Sequence, residues 1–499
     1  MSSLYAATAA WKTYGIPDDM ADLSSPERRR LRFAFLQSLY DGTAYTGTGE
    51  SVGQRYRDAN TLYTHTRQIV NPTKSLCDFY AAHIYTGPFS PDGTQSIEGE
   101  DAALPLVTLI PGGANEEAAL RAAFGQLSHG WWAWDTMMAH RILQTAILGT
   151  NLIELVDDPT SGKVMLNLTP PTQVEEVTLD FSGNLKGYIL AYTMAERGAI
   201  DTRTGQRERS QTFRYRKVVD GAWFRHYRDG HLEREHRNPY GFVPAVWDRH
   251  GLGWGSWGEP ALLGSQTAAD ELNELWSHAD DRLHQLFSAP LVVGGASAFE
   301  KQTLQQGTRS EVSVFGVPAG GQASTIAFSL GEVMTSLEKI QDSIAVECPE
   351  LRVYDRIRDM TQATGPGIRR AVADVEHRVN NKAALYDRQT IKLLQMGTAI
   401  AGWRVNNGDW GSVGDLTEQQ RVFLAFGLES FKAGQLDCML LPRELVKPTF
   451  QERIEEQEAL ERLQDRASLA VLGLPEDEIA KRLAERDARR SFAFDLRER

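Results

Sequence analysis

The chain has 499 residues, of which 41% are hydrophobic, 24% charged and 9% aromatic. That is the composition of an ordinary globular protein with ample length for several cores, and it excludes disordered and fibrous classes. Arg and Lys total 53 against 66 Asp and Glu, a formal charge of −13, which argues against a plain nucleic-acid binder that works by neutralising phosphates. The three cysteines, Cys77, Cys348 and Cys438, are far apart and form no CxxC pair, which excludes a disulfide scaffold and a cysteine-rich zinc module and suits a reducing compartment.

The longest apolar stretch, Ile142 to Val156, is broken by Gln144, Gly149, Asn151 and Glu154. Spanning a bilayer takes about 20 apolar residues, so no membrane span is expected. Met1 to Ile16 lacks a basic segment followed by an apolar core, so the chain reads as soluble and intracellular at synthesis.

In chain order, the first forty residues are helical in character, with Arg28, Arg29 and Arg30 beside Leu31, Phe33, Phe35 and Leu36. Asp41 to Gly53 is rich in Gly and Thr and is expected to be an exposed loop. Asn71 to Tyr85 carries Leu76, Phe79, Tyr80 and Ile84 at helical spacing, and Gly87, Pro88, Pro91 and Gly93 then break the chain. Glu116 to Leu148 predicts one or two helices around Gly130, with Trp131, Trp132, Trp134, Met137 and Met138 most simply in the core. From Asn151 to Trp247 the hydrophobic period changes to two, with turn signals at Asp157 to Gly162, Ser182 to Asn184, Asp220-Gly221 and Asp229-Gly230. These predict a run of antiparallel hairpins inside an otherwise helical chain.

The second half predicts mostly helix. Pro260 is placed at the first turn of a helix on the order of 40 Å long, with Leu272, Leu275, Trp276, Ala279, Leu283 and Leu286 as its apolar positions and Pro290 as its stop. A Gly- and Val-rich strand-and-turn insertion, Leu291 to Phe328, follows. A second helix has Val333, Leu337, Ile340 and Ile344 on one stripe and stops before Pro349. After a charged loop, a third helix carries Ile368, Val372, Val375, Val379, Ala383 and Tyr386. Thr417 with Gln420, and Thr449 with Glu452, have capping-box spacing for two more helices, which Gly434 and Gly473 are placed to end. The last fifty residues read as helical and heavily charged.

Candidate chemistry is sparse. Gly253 to Gly258 fits G-x-G-x-x-G, yet antiparallel hairpins precede it, two tryptophans crowd it and no second parallel strand follows, so a structural turn is the better reading. His226, His231, Glu233 and His236 fall within eleven residues, but a hairpin turning at Asp229-Gly230 is expected to splay them onto different faces. The carboxylate pairs Asp157-Asp158 and Glu175-Glu176 sit in or near turns and need no catalytic explanation. No cofactor or metal is implied, and nothing demands an enzyme. The segment Glu350 to Gly367, with Arg352, Asp355, Arg356, Arg358 and Asp359 between two helices, reads either as a solvated connection or as a mobile loop that meets a polyanion weakly.

The order of these elements resembles that of tailed-bacteriophage portal proteins. "TAADELNELWSHADDRLHQLFSAPLVVGG" resembles the portal segment in which a long helix leads to a proline-bounded strand. "IQDSIAVECPEL" followed by "TGPGIRRAVADVEHRVNNKAALYDRQTIKLL" resembles the second stem helix, the tunnel loop and the long helix beyond. Portal chains often open that last helix with Ser-Gly, where this chain has Thr364-Gly365 and then Pro366-Gly367. "RQIVNPTKSLCDFYAAHIYTG", Arg67 to Gly87, is similar to the family's early wing helix. The similarity spans roughly residues 60 to 400 and rests on patterns and order, with no invariant motif.

The resemblance implies an α+β fold, mainly helical. Residues 1–258 and 367 to about 440 would form a wing with a β-rich module at 151–248. Glu259 to Ser288 and Gly331 to Cys348 would be two stem helices, Leu291 to Phe328 a small α/β clip, Glu350 to Gly367 the tunnel loop and 441–499 a helical crown. It implies a non-enzymatic ring of about twelve subunits at a capsid vertex, made in the host cytoplasm and ending in the virion. Its partners would be terminase, tail or adaptor proteins, capsid and scaffolding protein. Double-stranded DNA would pass through the ring without stable binding, and Arg352, Arg356 and Arg358 would face that tunnel. Two other readings stay open: an enzyme holding a ligand at the Gly253 to Gly258 loop, and another viral structural subunit.

Overall fold

The computed structural model describes residues 25–46, 71–84, 106–108, 114–196, 211–253, 255–261, 266–287, 291–296, 300–305, 311–318, 330–353 and 365–440. The chain divides into two compact units. The first comprises Met1–Tyr354 with His377–Arg443, and the second Asp355–Glu376 with Glu444–Arg499. The described part of the second is Gly365–Glu376, the opening of a long helix whose remainder belongs to the first.

Three helices and a helical pair build one side of the first unit's core. α1 (Pro26–Tyr40) starts where the Ser25 hydroxyl accepts the Arg28 amide at 3.2 Å, with proline in the first turn, where its missing N–H costs nothing. The stretch expected to be an exposed loop contains the single-turn α2 (Thr43–Thr46) instead, because Ala44 is drawn fully into the core beside Phe35 and Leu39. α3 (Pro72–Ile84) takes the place its apolar spacing predicted, and the breaker cluster Gly87 to Gly93 lies outside the described residues. After a short strand, β1 (Leu106–Thr108), α4 (Ala114–Gly125) runs into a π-turn at Gln126–Trp131 and then α5 (Trp134–Leu148). Trp131, Trp132, Trp134 and Met138 are buried in the largest apolar cluster, and the Trp132 indole donates to the Val164 carbonyl at 2.9 Å. That is a core role, as the spacing suggested.

The β-rich module forms as two antiparallel sheets. The first orders as β3 (Lys163–Thr169), β2 (Thr150–Asp158) and β9 (Ala245–Arg249), with β2 central and buried over six consecutive residues. The second orders as β4 (Val174–Leu179), β5 (Leu185–Glu196), β6 (Gln211–Asp220), β7 (Trp223–Arg228) and β8 (His231–Arg237). Asp229 (φ 49°) and Gly230 (φ 85°) make the β7–β8 turn, the left-handed pair that a two-residue hairpin requires. Leu152, Trp247, Tyr188, Leu190 and Val219 fill the space between the sheets.

α6 (Gln266–Phe287) is described over 22 residues, about 33 Å, with 262–265 and 288–290 outside the described residues, and Pro260 is not helical. The reason is a contact with a distant element: Glu259 bridges to Gly251, and the Ala261 N–H donates to the Ala146 carbonyl at 2.9 Å, so the chain at Pro260 is tied to the end of α5. The described part of the following insertion is a three-stranded sheet of order β10 (Leu291–Ala296), β12 (Glu311–Pro318), β11 (Glu300–Gln305), with β10 and β12 parallel. α7 (Leu330–Glu347) then packs on α6 through Leu272, Ala279, Leu337 and Ile344. α8 (Gly365–Asn406) takes in Gly365, Pro366 and Gly367, which the sequence reading places in the loop. Its stripe of Val372, Val375, Val379, Ala383 and Tyr386 is buried.

The Thr417 capping box is present in full, but the helix it opens is the single turn α9 (Glu418–Arg421). A second short helix, α10 (Leu428–Lys432), follows and is ended by Gly434 at φ 73°. Phe423 and Phe426 turn into the main core and break what the spacing read as one helix. β13 (Cys438–Leu440) pairs with β1. Thr449, Glu452, Gly473 and the charged last fifty residues lie outside the described residues.

Candidate functional site

The segment between α7 and α8 carries the three candidate arginines. Beyond α7 the chain makes a short turn at Pro349–Arg352. Arg352 leaves that turn to form an exposed ion pair with Asp342, one α7 helix face back. Arg356 and Arg358 lie outside the described residues, as do Asp355 and Asp359. The structure therefore locates one of the three candidate arginines, at the mouth of the connection.

Glu350 points the other way. It is 2% exposed, accepts the Tyr80 hydroxyl of α3 at 2.8 Å and lies 3.8 Å from the Arg378 guanidinium of α8. Arg378 also donates to the Glu347 carbonyl at 3.0 Å, supplying a cation and a donor to the C-terminal end of α7. Burial, and then the Glu350 carboxylate, push the Tyr80 phenol well above its ordinary value. Lys382, one turn along α8, is pushed down by burial while Glu259 and Glu350 draw it up.

From Tyr80 the buried polar contacts continue inward. The Tyr80 ring meets the His250 ring edge-on at 4.7 Å, and His250 Nδ1 bonds the Tyr386 hydroxyl at 2.9 Å. His250 is wholly buried, and desolvation followed by the Lys382 charge holds it neutral. Beyond Tyr386, Arg141 of α5 makes a bidentate pair with Asp248 of β9, at 2.5 and 2.8 Å, and donates to Thr390 of α8 at 2.8 Å. A line of polar groups thus joins the connection to the seam where α5, β9 and α8 meet. Tyr80, His250, Tyr386, Arg141 and Asp248 are buried, joined by hydrogen bonds and, between Tyr80 and His250, by a ring contact. Such an arrangement fixes geometry; these residues offer neither a solvent-facing nucleophile nor a poised acid–base pair.

The Gly253 to Gly258 loop is filled by its own chain. A Cβ at Gly253 would sit 2.7 Å from the Trp257 carbonyl, and one at Gly258 would sit 2.4 Å from the Gly149 carbonyl. In a dinucleotide fingerprint the glycines clear room for a pyrophosphate; here they clear room for backbone. Trp257 packs against Trp247 and Phe33 under the Arg29 guanidinium, and the Trp247 indole donates to the Ser256 carbonyl at 2.7 Å. These contacts make the loop a structural closure.

The histidine cluster differs in part from expectation. His226 and His236 fall on one face of the β7–β8 hairpin rather than splaying, with ring centroids 6.0 Å apart and stacked. Stacked rings do not converge on a common point, and His226 Nδ1 is taken by the Tyr215 hydroxyl at 2.6 Å. Burial and then Lys217 push His226 down to about 4. Among the described residues no group of three or more His, Cys, Asp or Glu is placed to hold a metal ion. Asp157 is a structural ion-pair partner of Arg404, and Glu175 lies 3.6 Å from Arg216.

Sequence reasoning missed the buried charges Arg141, Asp248, Glu154 and Glu350. Glu154 accepts from Tyr188, Thr169, Asn167 and Lys217 between the two sheets, and Lys217 heads the influences that hold its carboxyl low against the cost of burial. The available signal was a lone charge in an apolar run, Arg141 before Ile142-Leu143 and Glu154 between Ile153 and Leu155. No known protein-family model matches the chain, and no characterised protein shows significant sequence similarity to it. Among the described residues no helix is long and apolar enough to cross a membrane.

Proposed function

We propose that this chain is the subunit of a tailed-bacteriophage portal, a ring of about twelve copies at a capsid vertex through which double-stranded DNA is packaged and ejected. The observation that carries the reading is the succession α6, three-stranded sheet, α7, arginine-bearing connection, then the 42-residue α8. In a portal these are a stem helix, the clip, the second stem helix, the tunnel loop and the long helix of the wing. On this reading the β-rich module between α5 and α6 would belong to the wing, and residues 441–499 would supply the crown. The clip would receive terminase during packaging and tail or adaptor proteins afterwards. Capsid and scaffolding protein would surround the wing. The chemistry agrees: twelve copies at −13 give roughly −150, a field that opposes lasting phosphate contact and lets a conduit guide DNA without holding it.

The test is the mass of the purified full-length protein by light scattering, with negative-stain images of the same fraction. Twelve or thirteen copies of a 55.6 kDa chain, roughly 670 to 720 kDa with a central hole, is the expected result for closed cyclic symmetry. A monomer or two-fold dimer, both alone and after co-expression with capsid and scaffolding proteins, overturns the reading. The loop assignment has its own test. Replacing Arg352, Arg356 and Arg358 together by glutamine should lower DNA uptake in an in vitro packaging assay while leaving ring mass unchanged; undiminished uptake removes the three arginines from the tunnel.

A further inference from the structure

The five-stranded sheet ends in a stretch with a basic excess in an otherwise acidic chain. Gln211 to Arg237 contains seven Arg and Lys against four Asp and Glu, a net +3, so the remainder of the chain carries −16. β8 is one of the sheet's two edge strands, and all seven of its residues are exposed. Trp223 lies between the Arg225 and Arg237 guanidiniums, each 5.6 Å from its ring. Stacking of this kind holds guanidinium planes ready for carboxylates. Arg225 is already engaged by Glu235 at 2.7 Å and Asp220 at 3.4 Å, whereas Arg234 and Arg237 have no carboxylate partner among the described residues. Leu232, 51% exposed, adds an apolar contact point on the same strand.

The complementary surface lies elsewhere on the same chain. α6 and α7 together carry nine Asp and Glu against two basic residues, net −7, with Asp270 among the nine buried. Glu271 and Glu338 are exposed on these helices, as is Val346, at 77%. We infer that the β7–β8 end of the sheet of one copy docks on the acidic α6–α7 face of the next. This inference rests on the ring reading above and names the surfaces that would build it. Two unlike, complementary patches on one chain join copies head to tail, and head-to-tail joining closes into rings where a self-complementary patch gives two-fold dimers. Nucleic acid is the poorer occupant. Acids on and beside the patch already engage Arg225, Arg214 and Arg216, and the charge of −13 repels a polyanion on approach.

The experiment reverses charge on the full-length chain. R234E/R237E should lower the ring fraction about tenfold at equal concentration by light scattering and negative stain, with the melting temperature unchanged. Adding E271R/E338R to that variant should restore the ring. A double reversal that assembles like wild type overturns the inference while leaving the ring reading intact. Loss without restoration by the charge swap overturns α6–α7 as the complement. Binding of a fluorescent 20-mer DNA that R234E/R237E abolishes, with assembly untouched, assigns the face to nucleic acid instead. A wild-type chain that forms no ring defeats the ring reading itself, before any variant is compared.

Discussion

Gly149 and Gly258 approach each other so closely that each excludes a side chain on the other. The Gly149 N–H closes the last turn of α5 on the Thr145 carbonyl at 2.8 Å, and its φ of 82° lies in the left-handed region. A Cβ there would stand 2.7 Å from the Gly258 carbonyl, and the reverse distance is 2.4 Å. Neither neighbour is the flexible end of a side chain, so backbone has to move. Gly258→Ala should therefore destabilise by about 1–3 kcal/mol, the usual cost of overpacking. Gly255→Ala is a less direct comparison, since that site is sterically open but has φ 89°. Thermal unfolding of the two variants separates crowding from conformational strain: a Gly258→Ala protein that melts with wild type shows that the loop yields. The glycine spacing was legible in the sequence. Its meaning was not, because G-x-G-x-x-G records only where Cβ atoms are missing and is silent on whether phosphate or backbone takes their place.

At the scale of elements, the parts read most easily were those whose own residues carry the pattern. The α8 stripe from Val372 to Tyr386, the Asp229-Gly230 hairpin and the Trp131 to Met138 core segment are local signals, and each forms as its spacing indicates. The misreadings at Pro260 and between Thr417 and Gly434 share another cause. There, contacts with distant elements, Ala261 with Ala146 and Phe423 with the main core, decide where helix starts and stops. The buried pair Arg141–Asp248 belongs to the same class, since the partners are 107 positions apart. Both side chains are 1% exposed. Arg141→Met leaves the Asp248 carboxylate buried near Tyr386 without its cation, and should cost about 3–5 kcal/mol. Arg141→Met/Asp248→Leu removes both charges and should recover part of that loss, because the desolvation penalty disappears with the attraction. Denaturant unfolding of the singles and the double decides it: a double variant as unstable as the sum of the singles means that the two residues act independently.

For the whole molecule, acid brings two opposed effects. Lowering pH from 7 towards the isoelectric point near 5.4 reduces the net charge of −13 and so relieves self-repulsion in the folded chain. Histidines work against it. His250 is wholly buried beside Tyr80, Tyr386 and Lys382, and burial holds its folded pKa well below the ordinary 6.5; His83, His226 and His236 are lowered too, again first by burial. A group with a depressed folded pKa binds its proton more readily in the unfolded chain. Its contribution to stability is thus full above 6.5 and is lost as pH falls below that value. Net charge cannot separate the terms, but one substitution can. His250→Gln keeps a polar group able to bond the Tyr386 hydroxyl while removing the titration. Its melting temperature should lie below that of wild type at pH 7.5, where the packing around Tyr80 is lost, and the gap should narrow steadily from pH 6.5 to pH 5. A gap that stays constant over that range means that His250 is not the group through which acid acts, and that protonation elsewhere sets the pH dependence.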